Sequence, residues 1–206
     1  MKLHELTPAA QQRAYENWNT LDYDWWDSTY EMAKEDGKER GFIIDDINFS
    51  GFSSQGDGAC WKGYVDLPVF FNHFRERNDC PLTPQQVLLL SSALEGIYDS
   101  HAGIGVSGNY YCHSGTMGID WDHSYLEGGT EIAKGAYRGM DEGTFEEVWS
   151  LHAPDIEKVI LQAARDFADE IYKNLGKEHD CLTSEEAFKE ACEANDYEFT
   201  EEGEWE

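Results

Sequence analysis

The chain has 206 residues, of which 42 are acidic and 15 basic, so its formal net charge at pH 7 is −27. This charge argues against direct binding to nucleic acid or to an anionic membrane, because both attract Lys and Arg. It favours a basic protein partner, although many soluble proteins are simply acidic. The length suits one domain with its own hydrophobic core.

The cysteines and the apolar runs bear on where the protein works. Five cysteines without a CxxC pair suit reduced thiols better than a disulfide framework. No signal peptide is recognised, and the longest apolar run, residues 87–90, is too short to cross a bilayer. We therefore expect a cytoplasmic protein.

Two helices are predicted near the N-terminus. Thr7 is a good N-cap and Pro8 suits the first helical position, so the first helix should begin at Pro8. A second helix is predicted over residues 22–36, and Gly37 or Gly41 would end it. Its core-facing stripe would consist of Trp26, Tyr30 and Ala33.

A second face of this predicted helix is acidic. It carries, at helical spacing, Asp24, Asp27, Glu31 and Glu35. The simplest interpretation is a solvated outer face. The alternative is a surface that imitates phosphates. One helix places such charges about 6 Å apart, whereas a DNA strand has a phosphate every ~3.4 Å, so mimicry needs two acidic elements side by side.

The C-terminal residues 178–206 supply a second acidic segment. They contain twelve acidic residues and one lysine. The partner-binding carboxylates predicted there are Glu198, Glu201, Glu202 and Glu204. Thr183-x-x-Glu186 predicts a capped short helix before this end. Aromatic residues predicted to hold the end in place are Tyr197, Phe199 and Trp205.

Residues 42–52 and 59–67 predict an antiparallel hairpin around a glycine-rich loop, residues 53–58. The predicted buried sets are Ile43, Ile47 and Phe49 on the first strand and Trp61, Val65 and Leu67 on the second. The loop is more simply a turn, and the alternative is a small ligand or anion nest. That alternative would use Ser53, Gln55, Gly56, Asp57, Gly58 and Cys60.

This loop also carries a resemblance. Residues 49–52 read FSGF, residues 54–59 read SQGDGA, and Trp61 follows. The pattern resembles a family of phage and prophage proteins, mostly uncharacterised or labelled antitoxin-like. The aromatic helical N-terminus, a Tyr/His-rich second hairpin and the ending EFTEEG at residues 198–203 are similar as well. The resemblance implies a phage setting, hence the host cytoplasm, and supplies no catalytic residues.

The second hairpin is predicted over residues 103–125, with a two-residue turn at Ser114 and Gly115. This register separates the polar and apolar side chains onto opposite faces, and a one-residue slip would mix them. The apolar pairs it predicts are Cys112 with Met117, Tyr110 with Ile119, Val106 with His123, and Ile104 with Tyr125.

Three further helices are predicted to pack on these hairpins. A short aromatic one covers residues 69–77, and a buried one covers residues 84–100 after a capping box at Thr83. A third begins near Thr144, is interrupted at Pro154 and stops at Gly176. Its apolar stripe would be Ile156, Ile160, Ala163, Phe167 and Ile171.

Two chemical sites are weighed and set aside. A metal site would need His101, His113, Asp120, Asp122 and His123, but the predicted register separates them, so no metal or cofactor is expected. A nucleophile at Cys60 would need a histidine base that the sequence does not locate.

Blocks of helices and strands without a βαβ rhythm predict an α+β fold, with two antiparallel hairpins in one sheet packed by several helices. Residues 1–177 would form a single α+β domain, and residues 178–206 an acidic C-terminal helix and tail.

The functional hypothesis is a non-enzymatic phage-type interaction protein that blocks a basic, nucleic-acid-binding surface of a host or defence protein. It would be an anti-defence inhibitor of the anti-CRISPR kind and a possible DNA mimic. One alternative is an antitoxin that neutralises a cognate toxin. The other is a small enzyme or ligand binder built on residues 51–63. The oligomeric state stays open.

Overall fold

The computed structural model describes residues 1–18, 21, 24–75, 77, 80–87, 101–107, 112–120 and 142–205. The helices are α1 (Pro8–Glu16), α2 (Asp27–Glu39), α3 (Leu67–Phe74), α4 (Glu142–Leu182) and α5 (Glu185–Ala194). The strands are β1 (Phe42–Phe49), β2 (Ala59–Asp66), β3 (His101–Val106) and β4 (Met117–Asp120). Short 3-10 turns cover Leu3–Glu5 and Ser114–Thr116.

The four strands form one sheet in the order β1-β2-β3-β4, and each neighbouring pair is antiparallel. The predicted α+β class, with two hairpins joined in a single sheet and packed by helices, is confirmed. Antiparallel neighbours need only short connections, which agrees with the absence of a βαβ rhythm in the sequence.

The chain divides into two compact units. The first contains residues 1–29 and 174–206, and the second contains residues 30–173. The acidic residues 178–206 thus share a unit with the N-terminal segment. The predicted domain boundary after residue 177 stays a prediction.

The first unit is built on a small apolar core. Its buried members come from α1 and the residue Leu6 before it, from α5 and from the C-terminal segment: Leu6, Ala10, Ala14, Phe188, Cys192 and Phe199. The predicted cap at Thr7 is confirmed, since its side chain accepts from the Ala10 amide. The cap of α5 is Ser184, one residue after the predicted Thr183, and its side chain accepts from the Ala187 amide.

The C-terminal segment is held by backbone contacts as well as by its aromatic side chains. The Met1 amino group donates to the Phe199 carbonyl at 2.7 Å, and the Phe199 amide donates to the Met1 carbonyl at 2.8 Å. Gly203 has φ +85, and a Cβ there would collide with the Ala10 carbonyl of α1. Phe199 is fully buried and forms an isolated antiparallel β-bridge with Trp205. These are two of the aromatic residues predicted to hold the C-terminal end in place.

The second unit is organised around Trp61 on β2. Its ring is fully buried, and its indole N–H donates to the Ala164 carbonyl of α4 at 3.1 Å. Phe42 on β1 packs 5.5 Å from the Trp61 ring and 5.3 Å from the Phe167 ring. The predicted burial of Trp61, Val65 and Leu67 is confirmed, although Leu67 is the first residue of α3 and not the last of β2.

The predicted face of β1 is wrong at Ile43 because the strand contains a bulge. The register shifts between Ile44 and Asp46, which inserts one residue and reverses the alternation of side chains before it. Phe42 and Ile44 are therefore buried in place of Ile43, while Ile47 is buried and Phe49, two residues later on the same face, is partly buried.

The register of the second hairpin is also wrong. Ile104 pairs with Ile119 and Val106 with Met117, six residues from the predicted partners. The predicted two-residue turn at Ser114 is instead a 3-10 turn before β4. A shift by an even number of residues leaves each side chain on the same face of the sheet. The separation of polar from apolar faces therefore excludes a one-residue shift of register, but it does not exclude a shift of six residues. The predicted partners Tyr110, His123 and Tyr125 lie outside the described residues.

Packing decides which of the two glycines predicted as alternatives ends α2. Gly37 lies inside α2, where a Cβ would come within 2.9 Å of the Phe42 carbonyl oxygen, so the glycine permits close packing. Gly41, with φ +84, follows the helix instead.

Helix α4 continues through both Pro154 and Gly176 without a break. An internal proline costs about 3 kcal/mol, but a buried stripe runs past it and keeps the helix on the core. That stripe is Ala153, Ile156, Ile160, Ala164, Phe167, Ala168, Ile171 and Leu175. Ala164 thus takes the place predicted for Ala163. The capping box at Thr83 is confirmed, while residues 88–100 of the predicted central helix and residues 121–141 are not described.

Gly63 provides a test of the bulge. Its φ is +151, and a Cβ there would collide with the Ile43 carbonyl, so Gly63→Ala should lower the free energy of unfolding by about 2 kcal/mol or more. Gly105→Ala, in open space on β3, is the matched control and should stay within about 0.5 kcal/mol. Urea unfolding followed by circular dichroism measures both, and equal losses would contradict this account of the bulge.

Candidate interaction surface

Three of the predicted carboxylates lie on one face of α2. Asp27, Glu31 and Glu35 are exposed and follow each other at steps of four residues. The opposite side of the helix is buried through Ala33 and Gly37. Asp24 is exposed too, but it lies in the turn before α2, so the predicted four-member helical stripe is shorter by one turn.

Little of this stripe is neutralised. Lys34 lies 3.2 Å from the Glu31 carboxylate, whose side chain is 72% exposed. An exposed pair of this kind contributes on the order of 0.2–1 kcal/mol. Within the described part of the chain, no ion pair involves Asp24, Asp27 or Glu35.

The C-terminal carboxylates surround a turn in the first unit. Glu198, Glu201, Glu202 and Glu204 are all exposed. The turn is fixed by backbone groups, since the Thr200 amide donates to the Glu204 carbonyl and the Arg13 guanidinium donates to the Glu202 carbonyl at 2.8 Å. Arg13 therefore stabilises the turn by binding the main chain of Glu202, and it leaves the Glu202 carboxylate exposed.

One lysine partly balances this segment. The Lys2 ammonium lies 2.8 Å from Asp196 and 3.2 Å from Glu198. The hydrogen bond to Asp196, followed by that to Glu198, raises the pKa of Lys2. In the described residues, Glu201, Glu202 and Glu204 have no basic side chain within ion-pair distance.

The division into units splits the first predicted acidic segment. Asp24 and Asp27 belong to the first unit together with the C-terminal carboxylates, while Glu31 and Glu35 belong to the second unit. The adjoining Trp25 ring packs 5.6 Å from the His179 imidazole, so this segment lies beside the end of α4. Glu178 and Asp180 flank that histidine, and they are acidic neighbours that the helical spacing of α2 could not indicate.

The glycine-rich loop has the contacts of a structural turn. The Asp57 carboxylate accepts from the Ser53 amide at 2.9 Å and from the Ser54 amide at 2.6 Å. The Gly58 amide donates to the Ser50 hydroxyl. Amides that a bound anion would need are thus engaged by the loop itself, which favours the turn over the ligand nest. Gln55 and Gly56 are exposed at its tip.

Cys60 is a poor candidate for a nucleophile. It is 2% exposed, and burial, followed by the neighbouring Cys112 thiol, raises the pKa of Cys60 to about 11. The thiol is therefore protonated near neutral pH, whereas a nucleophilic cysteine needs a lowered pKa. His113 lies beside Gly58, but its Nδ1 atom accepts from the Gly115 amide at 3.1 Å.

The residues weighed for a metal site are not brought together as a ligand set. His101 packs against the Tyr64 ring at 4.5 Å, at the far end of β3 from the turn that contains His113. Asp122 and His123 lie outside the described residues. Among those described, no three His, Cys, Asp or Glu side chains form a group that could hold a metal ion.

Comparison with known families identifies one match. Residues 25–185 match the family described as Domain of unknown function (DUF8835). The chain belongs to this family. The searches of curated proteins and of solved structures found no match.

The DUF8835 match divides the candidate carboxylates. It includes Asp27, Glu31 and Glu35, while Asp24 and the C-terminal Glu198, Glu201, Glu202 and Glu204 lie outside it. The family description names no activity, and the resemblance to phage proteins stays a prediction. None of the described DUF8835 helices combines the length and apolarity that crossing a bilayer requires.

Thiol reactivity tests the environment of Cys60. With iodoacetamide at pH 8, exposed Cys181 should react first, because Cys60 and Cys192 are buried and the pKa of each is raised to about 11. The raised pKa of Cys60 also contributes to the free energy of unfolding. This contribution should be complete below pH 9, where the thiol is protonated in both the folded and the unfolded chain, and it should decline as the pH rises towards 11. Mass spectrometry of timed samples measures labelling, with urea-unfolded protein as the fully reactive control. Faster labelling of Cys60 than of Cys181 would contradict this account and support Cys60 as a nucleophile.

Proposed function

We propose that this protein is a non-enzymatic interaction protein whose exposed carboxylates occupy a basic, nucleic-acid-binding surface of another protein. In the phage setting that its sequence resembles, the partner would be a host or defence protein, and the protein would act there as an inhibitor. The carboxylates on which the proposal rests are Asp24, Asp27, Glu31, Glu35, Glu198, Glu201, Glu202 and Glu204.

The observation that carries this proposal is that these eight carboxylates are exposed and that most of them have no basic partner among the described residues. Of these eight carboxylates, Glu31 and Glu198 lie near a lysine. The net charge of −27 far exceeds what solubility requires of a small domain. A neutral surface patch or a set of paired charges would not support a role in binding a basic partner.

The charges would act by standing in for phosphates. A basic groove that binds nucleic acid presents Lys and Arg side chains, and carboxylates at comparable spacing can satisfy them. On α2 the steps of four residues place carboxylates about 6 Å apart along the axis. A second acidic segment is therefore needed, and the C-terminal turn provides charges in the unit that also contains Asp24.

Charge complementarity of this kind steers association and is weakened by salt. Opposite surface potentials raise the association rate, and exposed charge pairs are screened within about 8–10 Å in physiological buffers. Binding should therefore weaken steeply with added salt, in contrast to an interface held mainly by apolar contacts.

Charge reversal tests the proposal. We expect the double variant Asp27→Lys, Glu31→Lys to bind a captured partner about tenfold to a hundredfold more weakly, because each exposed pair is worth roughly 0.2–1 kcal/mol and reversal adds repulsion. Immobilised protein is incubated with nuclease-treated bacterial lysate, and retained proteins are eluted with a salt gradient and identified by mass spectrometry. Each identified protein is then tested for competition by duplex DNA.

The matched control is Glu147→Lys, Asp169→Lys, which makes the same change in net charge at exposed positions of α4. It should retain the same nucleic-acid-binding proteins as the wild type. Equal capture by the α2 variant, or capture that DNA does not compete, would count against the proposal. Circular dichroism of both variants confirms that the fold is intact.

A further inference from the structure

The first unit contains an apolar groove of about 390 Å³. It lies between the last turn of α4, one face of α5 and the segment that precedes α2. Among the described residues, its lining consists of Trp18, Leu21, Trp25, Glu178, Leu182, Ala187 and Ala191. A volume of this size is within the range of sites that take ligand or partner side chains.

The groove is open because α5 presents small residues to it. Ala187 and Ala191 are one helical turn apart, so they lie on the same face and leave space above them. Trp18 is held in place by the Phe188 ring at 5.3 Å, and Trp25 by the His179 ring at 5.6 Å. Leu182 is 36% exposed at the edge. The groove therefore has aromatic walls that its own neighbours position.

The groove is surrounded by negative charge. Glu178 lines it, and none of the other described lining residues is Lys or Arg. Asp24 precedes Trp25, and Glu190 lies three residues after Ala187 on α5, a spacing that places it beside the groove. An apolar floor with an acidic edge is complementary to a surface that combines apolar and basic side chains.

A second cavity of the same unit serves as a contrast. It measures about 370 Å³, and its charged lining residues are Lys2, Lys189, Glu193 and Asp196, with His4 beside them. Its two lysines are already paired, Lys2 with Asp196 and Lys189 with Glu185 at 2.6 Å. Charges of both signs therefore line that cavity, whereas the described lining of the groove at Trp18 and Trp25 contains Glu178 and no Lys or Arg, so the groove is the better match for a basic partner.

We propose that this groove binds an amphipathic helix of the partner, which buries two or three bulky apolar side chains against Trp18, Trp25 and the α5 alanines. Lys or Arg side chains beside that apolar stripe would meet Glu178 and its acidic neighbours. An amphipathic helix presents apolar side chains at i, i+3, i+4 and i+7 on one face, which is how such helices occupy apolar grooves. The inference rests on the proposed function and adds a specific contact to its charge-based recognition.

A peptide titration tests the groove directly. The probe is a Leu/Lys peptide of about five helical turns with its leucines at helical spacing, and the control peptide has the same composition in scrambled order. The full-length protein is titrated at pH 7, and tryptophan fluorescence and calorimetry report binding. We expect the amphipathic peptide to bind about tenfold or more tightly than the scrambled one, since only the amphipathic peptide can bury several leucines in the groove at once.

Variants of the protein locate the binding. Ala187→Phe fills the groove without changing the charge, and it should weaken binding of the amphipathic peptide about tenfold. The matched control, Ala194→Phe, makes the same substitution at an exposed position at the end of α5 and should bind like the wild type. Leu182→Gln removes an apolar edge without adding bulk, and it should also weaken binding, which keeps the test valid if Ala187→Phe fails to fold.

The outcomes separate this inference from the proposed function. Equal binding of both peptides, or unchanged affinity in Ala187→Phe and Leu182→Gln, overturns the groove and leaves charge-based capture of a basic protein intact. No binding of the amphipathic peptide also overturns the groove. Loss of the charge-dependent capture from lysate would instead contradict the proposed function, whichever peptide binds.

Discussion

The second unit depends on the contact between Trp61 and helix α4. The indole is fully buried and donates its only polar hydrogen to the Ala164 carbonyl, so a large apolar ring is placed in the core without an unsatisfied donor. Phe42 and Phe167 pack on the same contact and join β1 to α4. This packing explains why α4 continues past Pro154, since interrupting it would expose a stripe that the sheet needs for its core.

Basic side chains are few, and the fold uses several of them for structure. Arg13 donates to a backbone carbonyl of the C-terminal turn, and Arg165 donates to the Met117 carbonyl at 2.6 Å. Arg40 pairs with Asp36 and Glu170, and its guanidinium lies 4.7 Å from the Phe167 ring centroid. Among the described residues, Asp24, Asp27 and Glu35 on one side and Glu201, Glu202 and Glu204 on the other have no basic partner within ion-pair distance, which is the condition for an acidic surface that binds another molecule.

Local patterns had unequal power to predict this structure. The caps at Thr7 and Thr83 and the buried set of β2 depend on neighbouring residues alone, and they were predicted. The predicted register of the second hairpin was wrong because alternation in a strand repeats every two residues, so even shifts of register give the same pattern. The prediction for β1 was wrong at Ile43 because one inserted residue at the bulge reverses the alternation, and the strand pairing reveals this bulge.

The sequence by itself determined the α+β class, the chemistry of the caps and the excess of carboxylates, because composition and short-range spacing suffice for these. Tertiary structure alone decided the register of β3 with β4, the continuity of α4 and the burial of Cys60. It also decided that Asp24 shares a unit with Glu198 and its neighbours, and that Trp18, Trp25 and two alanines border one groove. Residues far apart in the chain meet only through packing, and no local pattern encodes which of them will meet.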